Sequence, residues 1–332
     1  MSIVLDGTLG ITSPAETVVG QFSSASTMGF KNRIINGAMG IWQRGTSITV
    51  GAAAYTYTAD RFKTYSANSA TTVSRNTSVP AGFQYSLQLQ RPAANTGTSG
   101  LSSVQIIETS NCADLAGQAI TLSFWVKKGA NYSGGVISAQ VLTGTTADQG
   151  GDPYSWTGLA TAINDSSYTP TTTWTKVYYT GTVASNVLEL ATAINFTPTG
   201  TAGADDSLYI TGVQLEKGST ATSFDYRPYG TELSLCQRYY AVINNVYCRA
   251  YNTNGAYIGA TLSLPVTMRA APTLTKTGTW NTTGTNAQPT VQDAGNGNSQ
   301  QSFSIYSLLS ASADAYFVTV NSGTGVTASA EL

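Results

Sequence analysis

The sequence predicts an all-β protein, and three observations lead to that fold class. Threonine, serine, glycine and tyrosine are plentiful, whereas leucine, lysine and glutamate are scarce, a bias that favours strands and turns over helices. Several segments alternate polar and apolar residues; in ITLSFWVKK (120–128) the apolar set is Ile120, Leu122, Phe124 and Val126. Turn-forming residues separate these segments. Strands with one polar face at this spacing predict an antiparallel β-sandwich.

The length of the chain indicates its domain organisation. A sequence of 332 residues suits two domains and an additional arm. Alternating segments run from residue 85 to residue 196 and resume between residues 256 and 320, around a long polar loop (281–300). We therefore predict an N-terminal arm (1–29), a β-sandwich domain (30–228), a linker helix or neck (229–245) and a smaller C-terminal β-sandwich domain (246–332).

A short helix is predicted in the arm. In SPAE, Ser13 can cap the helix, Pro14 suits its first position and Glu16 can complete a capping box. Val18 and Phe22 then share one face. A helix this short is not stable alone in water, so we expect it to pack on its own copies or on a partner.

A second short helix is predicted in the linker, over TELSLCQRYY (231–240). Leu233, Cys236, Gln237 and Tyr240 follow one another at helical spacing and form one stripe. In a trimer, we expect this stripe to face the axis.

Composition excludes several classes of function. The net charge of −1 and the absence of a basic run argue against nucleic acid and against an anionic membrane surface as partners. No apolar run is long enough for a membrane-spanning helix. The absence of histidine excludes Ser-His-Asp and Cys-His catalysis and any metal site that needs imidazole. No glycine-rich phosphate loop is present.

The cysteines indicate a protein that folds in a reducing environment. The chain has three cysteines, Cys112, Cys236 and Cys248, and no CxxC motif. We therefore expect buried free thiols, and a Cys236–Cys248 disulfide is the alternative. The N-terminus lacks the pattern of a signal peptide. We expect the chain to remain soluble or to leave the cell by a route other than secretion, such as a virus particle.

Three segments resemble bacteriophage tail-fibre and receptor-binding proteins. They are FKNRIINGAMGIWQRGTS (30–47), YTADRF (57–62) and LYITGVQLEKGSTATSFDYRPYGTELSLCQRYY (208–240). The last is the most specific, and LPVTMRAAPTLT (264–275) resembles the start of the distal domain in such fibres. The resemblance covers roughly residues 1–270.

The first domain also resembles the jelly-roll carbohydrate-binding modules of polysaccharide-degrading enzymes. It shares Asn36-Gly37 followed by Trp42, and a last strand that runs from Leu208 to Leu215. Such modules usually carry an acidic calcium ligand in the last strand, where this sequence has Thr211-Gly212. Asp205 and Asp206 are therefore the candidates for a structural calcium; no other cofactor is expected.

Together these resemblances imply a structural, non-catalytic attachment protein of a phage tail. The arm would bind other tail or baseplate proteins, the jelly roll would form the body, and the C-terminal domain would be the distal tip. They imply a homotrimer that is assembled in the host cytoplasm, resides in the virion and binds host surface polysaccharide. An architectural tail or collar component, a polysaccharide-degrading tail enzyme and a free lectin are the alternatives.

Candidate sugar contacts are aromatic residues in loops or on polar strand faces, because sugars stack on aromatic rings beside amides, hydroxyls or carboxylates. Tyr154, Trp156 and Asp152 share the loop QGGDPYSWTG (149–158). Trp125 lies on the polar side of its strand, and Trp280 precedes the long polar loop. Each aromatic can instead pin its loop to the domain. Trp42 is assigned to the core.

Catalysis by paired carboxylates is the less favoured interpretation of the acidic residues. Asp148/Asp152 and Asp205/Asp206 are close in sequence but lie in glycine-rich loops, where turn formation is the commoner role. Asp60-Arg61 is assigned to a structural ion pair or to backbone contacts.

The aromatic-rich segment after the last strand of the first domain is interpreted as a joint. We expect the chain around Tyr226 to lie back over the sandwich. The domain or subunit joint is assigned to Tyr226, Arg227, Tyr229, Leu233, Cys236 and Tyr240.

Overall fold

A computed structural model describes residues 4–6, 10–13, 16–17, 30–67, 70–252, 255–283, 285, 288–293, 299–309, 313–319 and 324–332. It confirms the all-β fold class: the described residues form 24 strands, three short 3-10 turns and a single α-helix. That helix has nine residues, and no described helix is long and apolar enough to cross a membrane.

Three strands lie in the arm: β1 (Val4–Asp6), β2 (Gly10–Ser13) and β3 (Glu16–Thr17). They form one antiparallel sheet, in which Ser13 is paired with Glu16. The helix predicted to start at SPAE is therefore wrong at its first turn, because the residues assigned to the capping box pair as strands. The remainder of that helix, with Val18 and Phe22, lies outside the described residues.

Twelve strands form the first sandwich. They are β4 (Ser47–Val50), β5 (Ala54–Tyr57), β6 (Lys63–Ser66), β7 (Thr71–Asn76), β8 (Ser86–Gln90), β9 (Leu101–Ile107), β10 (Ala119–Lys128), β11 (Ile137–Gly144), β12 (Ala160–Asp165), β13 (Thr175–Thr182), β14 (Glu189–Phe196) and β15 (Ser207–Lys217). Sheet I has the order β13-β10-β15-β8-β7-β4, and sheet II has the order β12-β11-β14-β9-β6-β5. From β8 to β11 the chain crosses between the sheets at every step, as in a jelly roll.

The core between sheets I and II follows from the alternation in the sequence. Ile120, Leu122, Phe124 and Val126 of β10 are fully buried and belong to one hydrophobic cluster with the inward residues of the other strands. Trp42 belongs to the same cluster, as predicted, and its indole N–H donates to the carbonyl of Met39 at 2.8 Å.

The Asn36-Gly37 pair fastens the start of this domain to its last strand. Asn36 has a left-handed backbone (φ 61°), and its side chain bonds to both backbone groups of Ile41 and to the carbonyl of Asp60. A side chain at Gly37 would collide with the carbonyl oxygen of Val213 in β15. The pair is thus needed for a close backbone contact.

The α-helix, α1 (Tyr229–Gln237), precedes nine further strands. These are β16 (Tyr240–Ile243), β17 (Tyr247–Asn252), β18 (Tyr257–Ser263), β19 (Thr273–Thr277), β20 (Asn281–Thr283), β21 (Thr290–Asp293), β22 (Ser302–Leu308), β23 (Ala313–Val318) and β24 (Gly325–Ser329). They form three-stranded sheets of order β16-β24-β19, β17-β23-β20 and β18-β22-β21. A second hydrophobic core lies among them and includes Trp280, Phe303 and Phe317.

A third hydrophobic cluster joins the two parts of the chain. Cys236 and Tyr239, from α1 and the residues after it, pack with Leu332 against the outward side of sheet II. Cys236 is 1% exposed. The prediction that this helical stripe faces a trimer axis is therefore wrong at Cys236, because residues of the same chain already cover that side chain.

The other residues assigned to the joint fall into three groups. Arg227 donates to the carbonyls of Asn32 and Ile34 and pairs with Glu232. Leu233 packs on the third cluster, and Tyr240 lies under the guanidinium of Arg44, 3.5 Å from its ring centroid. Tyr226 and Tyr229 are 56% and 68% exposed and are not part of this cluster. Tyr226 instead packs on Phe83 and bonds to Gly82, which is the laid-back path expected for this segment.

All three cysteines are buried free thiols, so no Cys236–Cys248 bridge forms.

Candidate functional site

The outward face of sheet II is divided into a covered half and an open half. Side chains alternate along each strand, so Leu190 and Ile194 of β14 face the core while Ala191, Ala193 and Asn195 face outward. Ala191 and Ala193 belong to the third cluster and are covered by Trp156, Cys236, Tyr239 and Leu332. Asn195 lies beyond this cover and is only half-buried.

The open half carries a row of polar and aromatic side chains, which we call the polar strip. Strand register places one outward residue from each of five neighbouring strands in line: Ser138 (β11), Asn195 (β14), Ser102 (β9), Tyr65 (β6) and Tyr55 (β5). Gln140, Asn164 and Tyr154 flank this row and complete the strip.

A hydrogen-bond network holds Tyr154 over the strip. Its hydroxyl donates to the Gln140 side chain at 2.5 Å and accepts from the Asn195 amide at 3.0 Å. The Gln140 amide donates in turn to Asn164 at 3.0 Å. The Tyr154 ring remains 40% exposed, and desolvation raises the pKa of its phenol, which therefore stays protonated at neutral pH.

Asp152 positions this loop. Its carboxylate accepts from the backbone N–H of Tyr154 at 3.0 Å, which caps the 3-10 turn Pro153–Ser155. The same oxygen accepts from the Tyr55 hydroxyl at 2.8 Å. Asp152 thus links the loop to the row of strand residues, and Tyr55 stacks at 4.8 Å on Tyr65.

The strip has hydrogen-bonding groups without protein partners. The hydroxyl of Ser102 and the side-chain oxygen of Asn195 are buried atoms with no hydrogen bond. Both atoms are shielded from solvent, so a ligand on the strip would reach them only if neighbouring side chains moved.

Of the residues assigned to sugar contact from the sequence, Tyr154 lies in the strip and Asp152 borders it, bonded to Tyr55 and Tyr154. Trp156 is 5% exposed and belongs to the third cluster, so its ring has no open face, and this assignment is wrong. Trp280 is 1% exposed and packs on Phe317 in the second core, so its assignment to sugar contact is also wrong. Trp125 lies on the outward face of sheet I, half-buried over Gly212 beside Phe83.

Sequence reasoning missed Tyr55, Tyr65, Gln140 and Asn195. Part of the signal was present, because AYTY (54–57) places tyrosine at alternate positions and KTYS (63–66) adds Tyr65 in the next strand. Their meeting in one row depends on strand register across sheet II, which pairs residues from distant parts of the chain.

Asp205 and Asp206, the calcium candidates, are fully engaged. Asp206 is completely buried and paired with Arg91 at 2.7 Å, and it also accepts from the backbone and hydroxyl of Ser133. Asp205 accepts from the backbone of Ala130 and from the Tyr209 hydroxyl. Arg91 supplies the positive charge that a cation would bring, so we do not propose calcium there. In the described ranges, no group of three or more Cys, Asp or Glu residues is arranged to hold a metal.

Glu189 lies at the covered end of the same face. Its side chain is fully buried, one carboxylate oxygen accepts from the Gln149 backbone at 2.7 Å, and the other has no partner. Burial raises the pKa of Glu189 to about 8, partly offset by the Gln149 hydrogen bond. The neighbouring Lys63 is also buried, and its pKa is lowered to about 8.

Glu189 makes stability dependent on pH. Because its pKa is higher in the folded chain than the ~4.3 of an unfolded glutamate, the folded state holds the proton between these values. This contribution is complete below pH ~4 and is lost as pH rises through about 8. We expect wild type to lose a few kcal/mol between pH ~5 and ~8, and Glu189→Gln to lose much less.

Urea midpoints at these two pH values measure the effect. Asp114→Asn, at a carboxylate that is 52% exposed, is the control and should retain the wild-type pH dependence. An equally steep loss in Glu189→Gln would contradict the assignment. Lys63, whose pKa is lowered to about 8, changes the stability mainly above pH ~8.

Comparisons with known proteins give only distant likenesses. No family model and no curated protein matches the chain. The enzymatically active domain of bacteriophage CBA120 tailspike protein 4 is 15% identical with a TM-score of 0.34, over 57% of this chain and 22% of that one. The CBM22-1 xylan-binding domain of Paenibacillus barcinonensis Xyn10C is 12% identical with a TM-score of 0.35, over 59% of this chain and all of that one.

An apo-form cyclase from Fischerella sp. is as similar, with 11% identity and a TM-score of 0.35 over 60% of this chain and 100% of that one. The neighbours thus differ in activity, and at these scores they determine neither the ligand nor the role of this chain.

Proposed function

We propose that the protein binds polysaccharide through the polar strip and does not cleave it. The observation that carries this proposal is that the strip brings together the rings of Tyr55, Tyr65 and Tyr154 and the amides of Gln140 and Asn195. Aromatic rings offer flat apolar faces, and amides and hydroxyls bond to sugar hydroxyls. An open row across five strands suits an extended chain of sugar units.

The charge around the strip also favours a neutral, hydroxyl-rich ligand. Asp152 is the carboxylate nearest the row and is occupied by Tyr55 and Tyr154. Lys63 is buried and donates to the carbonyl of Gly151. The strip therefore offers neither the basic surface that nucleic acid needs nor a free pair of carboxylates for hydrolysis.

We further propose that this binding attaches a phage tail to its host. The support is the resemblance of segments 30–47 and 208–240 to tail-fibre proteins. In that role the chain is a homotrimer in the virion, and the arm binds other tail or baseplate proteins. Three weak sites acting together supply the avidity.

Loss of a strip tyrosine is expected to weaken polysaccharide binding. Tyr154→Ala or Tyr65→Ala should weaken binding to an array of bacterial surface polysaccharides by about tenfold or more, because each removes a stacking face. Tyr178→Ala, on sheet I and 62% exposed, is the matched control. Unchanged binding by both strip variants, with their circular dichroism spectra intact, would exclude the strip as the site.

Two further measurements separate the alternatives. Sustained release of reducing sugar from a bound polysaccharide would favour the tail enzyme. Failure of the purified chain to block phage adsorption at saturating dose would favour an architectural component.

A further inference from the structure

A second aromatic face lies on the C-terminal sheet of order β17-β23-β20. Along β17, Cys248 and Ala250 turn inward, whereas Tyr247, Arg249 and Tyr251 face outward. Register places Tyr316 of β23 opposite Arg249, and Thr283 of β20 opposite Tyr316. Tyr247, Arg249, Thr283 and Tyr316 line an open groove of about 270 Å³. We call these four residues and Tyr251 the tyrosine face.

The rings of this face are exposed and lie above a packed hydrophobic core. Tyr247 is 56% and Tyr251 76% exposed, which is unusual for side chains of this size on a sheet. Beneath them, Phe317 is fully buried and packs on Trp280. The packed core beneath holds the strand backbone in place, so ligand binding needs to order only the exposed side chains.

We infer that the tyrosine face is a second carbohydrate-binding site, which takes one or two sugar rings of a polysaccharide. The phenol rings supply stacking faces, and the Thr283 hydroxyl flanks them as a group that bonds to sugar hydroxyls. Tyr247 and Tyr251 lie four residues apart, about 13 Å along the strand. They can therefore contact separate units of one glycan chain.

The size of the face argues against a protein partner. The three strands have six, six and three residues, and only alternate residues face outward. A stable protein interface needs roughly 20–30 residues on each side. The groove is also smaller than the ~300–1,000 Å³ pockets of drug-sized ligands, so a single sugar ring suits it better than a bulky cofactor.

This inference rests on the proposed function for its ligand class but on separate residues for its site. The two can therefore be tested apart. We suggest titration calorimetry of the full chain with soluble neutral and uronic-acid-containing oligosaccharides taken from the polysaccharides that bind on the array. The variants are Tyr247→Ala/Tyr251→Ala, Tyr65→Ala/Tyr154→Ala, and Tyr178→Ala as the control.

The expected result is two binding events per wild-type chain and one in each double variant, with the affinity of the lost site reduced about tenfold or more. The preference between neutral and acidic oligosaccharides then identifies the ligand of the tyrosine face. One binding event in wild type that Tyr247→Ala/Tyr251→Ala leaves intact would overturn the second site while the polar strip stands. One event abolished only by that variant would support the tyrosine face and overturn the strip.

Discussion

Glu331→Ala is expected to destabilise the folded chain by about 3–5 kcal/mol, because it leaves a buried arginine without its counter-ion. Arg61 is 2% exposed and forms an ion pair with the Glu331 carboxylate. Its guanidinium also donates to the carbonyl of Ile106 at 2.7 Å and stacks over Tyr239 at 3.5 Å. The Glu331 carboxylate also accepts a hydrogen bond from a second arginine, Arg44, at 3.1 Å. Removing one carboxylate therefore affects two cations.

The free energy of unfolding by urea measures this effect. Asp114→Ala is the matched control, since it breaks the Arg33–Asp114 bridge at 2.7 Å, whose side chains are 25% and 52% exposed. Exposed bridges contribute about 0–1 kcal/mol. A loss below about 1 kcal/mol in Glu331→Ala would show that Arg61 regains water or another partner.

The Arg61–Glu331 pair also illustrates what the sequence could and could not predict. The sequence predicts a structural ion pair or backbone contacts for Asp60-Arg61, and Arg61 makes both. Its partner is 270 residues away, and Asp60 instead accepts from the backbone N–H of Gln43 at 2.8 Å. Local sequence indicates that a charge is present, whereas its partner depends on the assembled fold.

Strand alternation was predictable where one face of a sheet is polar. Segment 120–128 has its apolar residues in the core and Trp125 outside it, as its period of two predicts. The rule fails in β9, where every residue from Leu101 to Ile107 is buried, and on its second face Val104 and Ile106 join the cluster that holds Cys236, Tyr239 and Leu332. The same cover explains why Trp156 became part of a core. The composition of the loop alone did not show that other parts of the chain would cover Trp156.

The polar strip was only half predictable for a related reason. Tyr154 and Asp152 are close in sequence, so their loop was visible as a constellation. Tyr55, Tyr65 and Asn195 come from β5, β6 and β14, and they meet only through the register of sheet II. The predicted first turn of the arm helix is wrong for a different reason, since its capping residues Ser13 and Glu16 are equally able to pair as strands.

Asp206→Ala is expected to cost a similar 3–5 kcal/mol within the first sandwich. Arg91 and Asp206 have side chains that are 1% and 0% exposed, and they form an ion pair at 2.7 Å. Arg91 also donates to the carbonyls of Gly97 at 2.6 Å and Gly200 at 3.1 Å. These carbonyls cannot balance a full positive charge once the carboxylate is gone, so the variant retains a buried, unpaired cation.

A double variant distinguishes the cost of an unpaired charge from the loss of packing. Arg91→Met/Asp206→Leu removes both charges, and apolar replacements of buried ion pairs are often close to neutral. We expect it to recover most of the stability lost in Asp206→Ala, measured as the free energy of unfolding by urea.

Because Arg91 already neutralises Asp206, a chelator should leave the wild-type midpoint unchanged. A fall in that midpoint on chelation, reversed by calcium, would show instead that these carboxylates hold a cation.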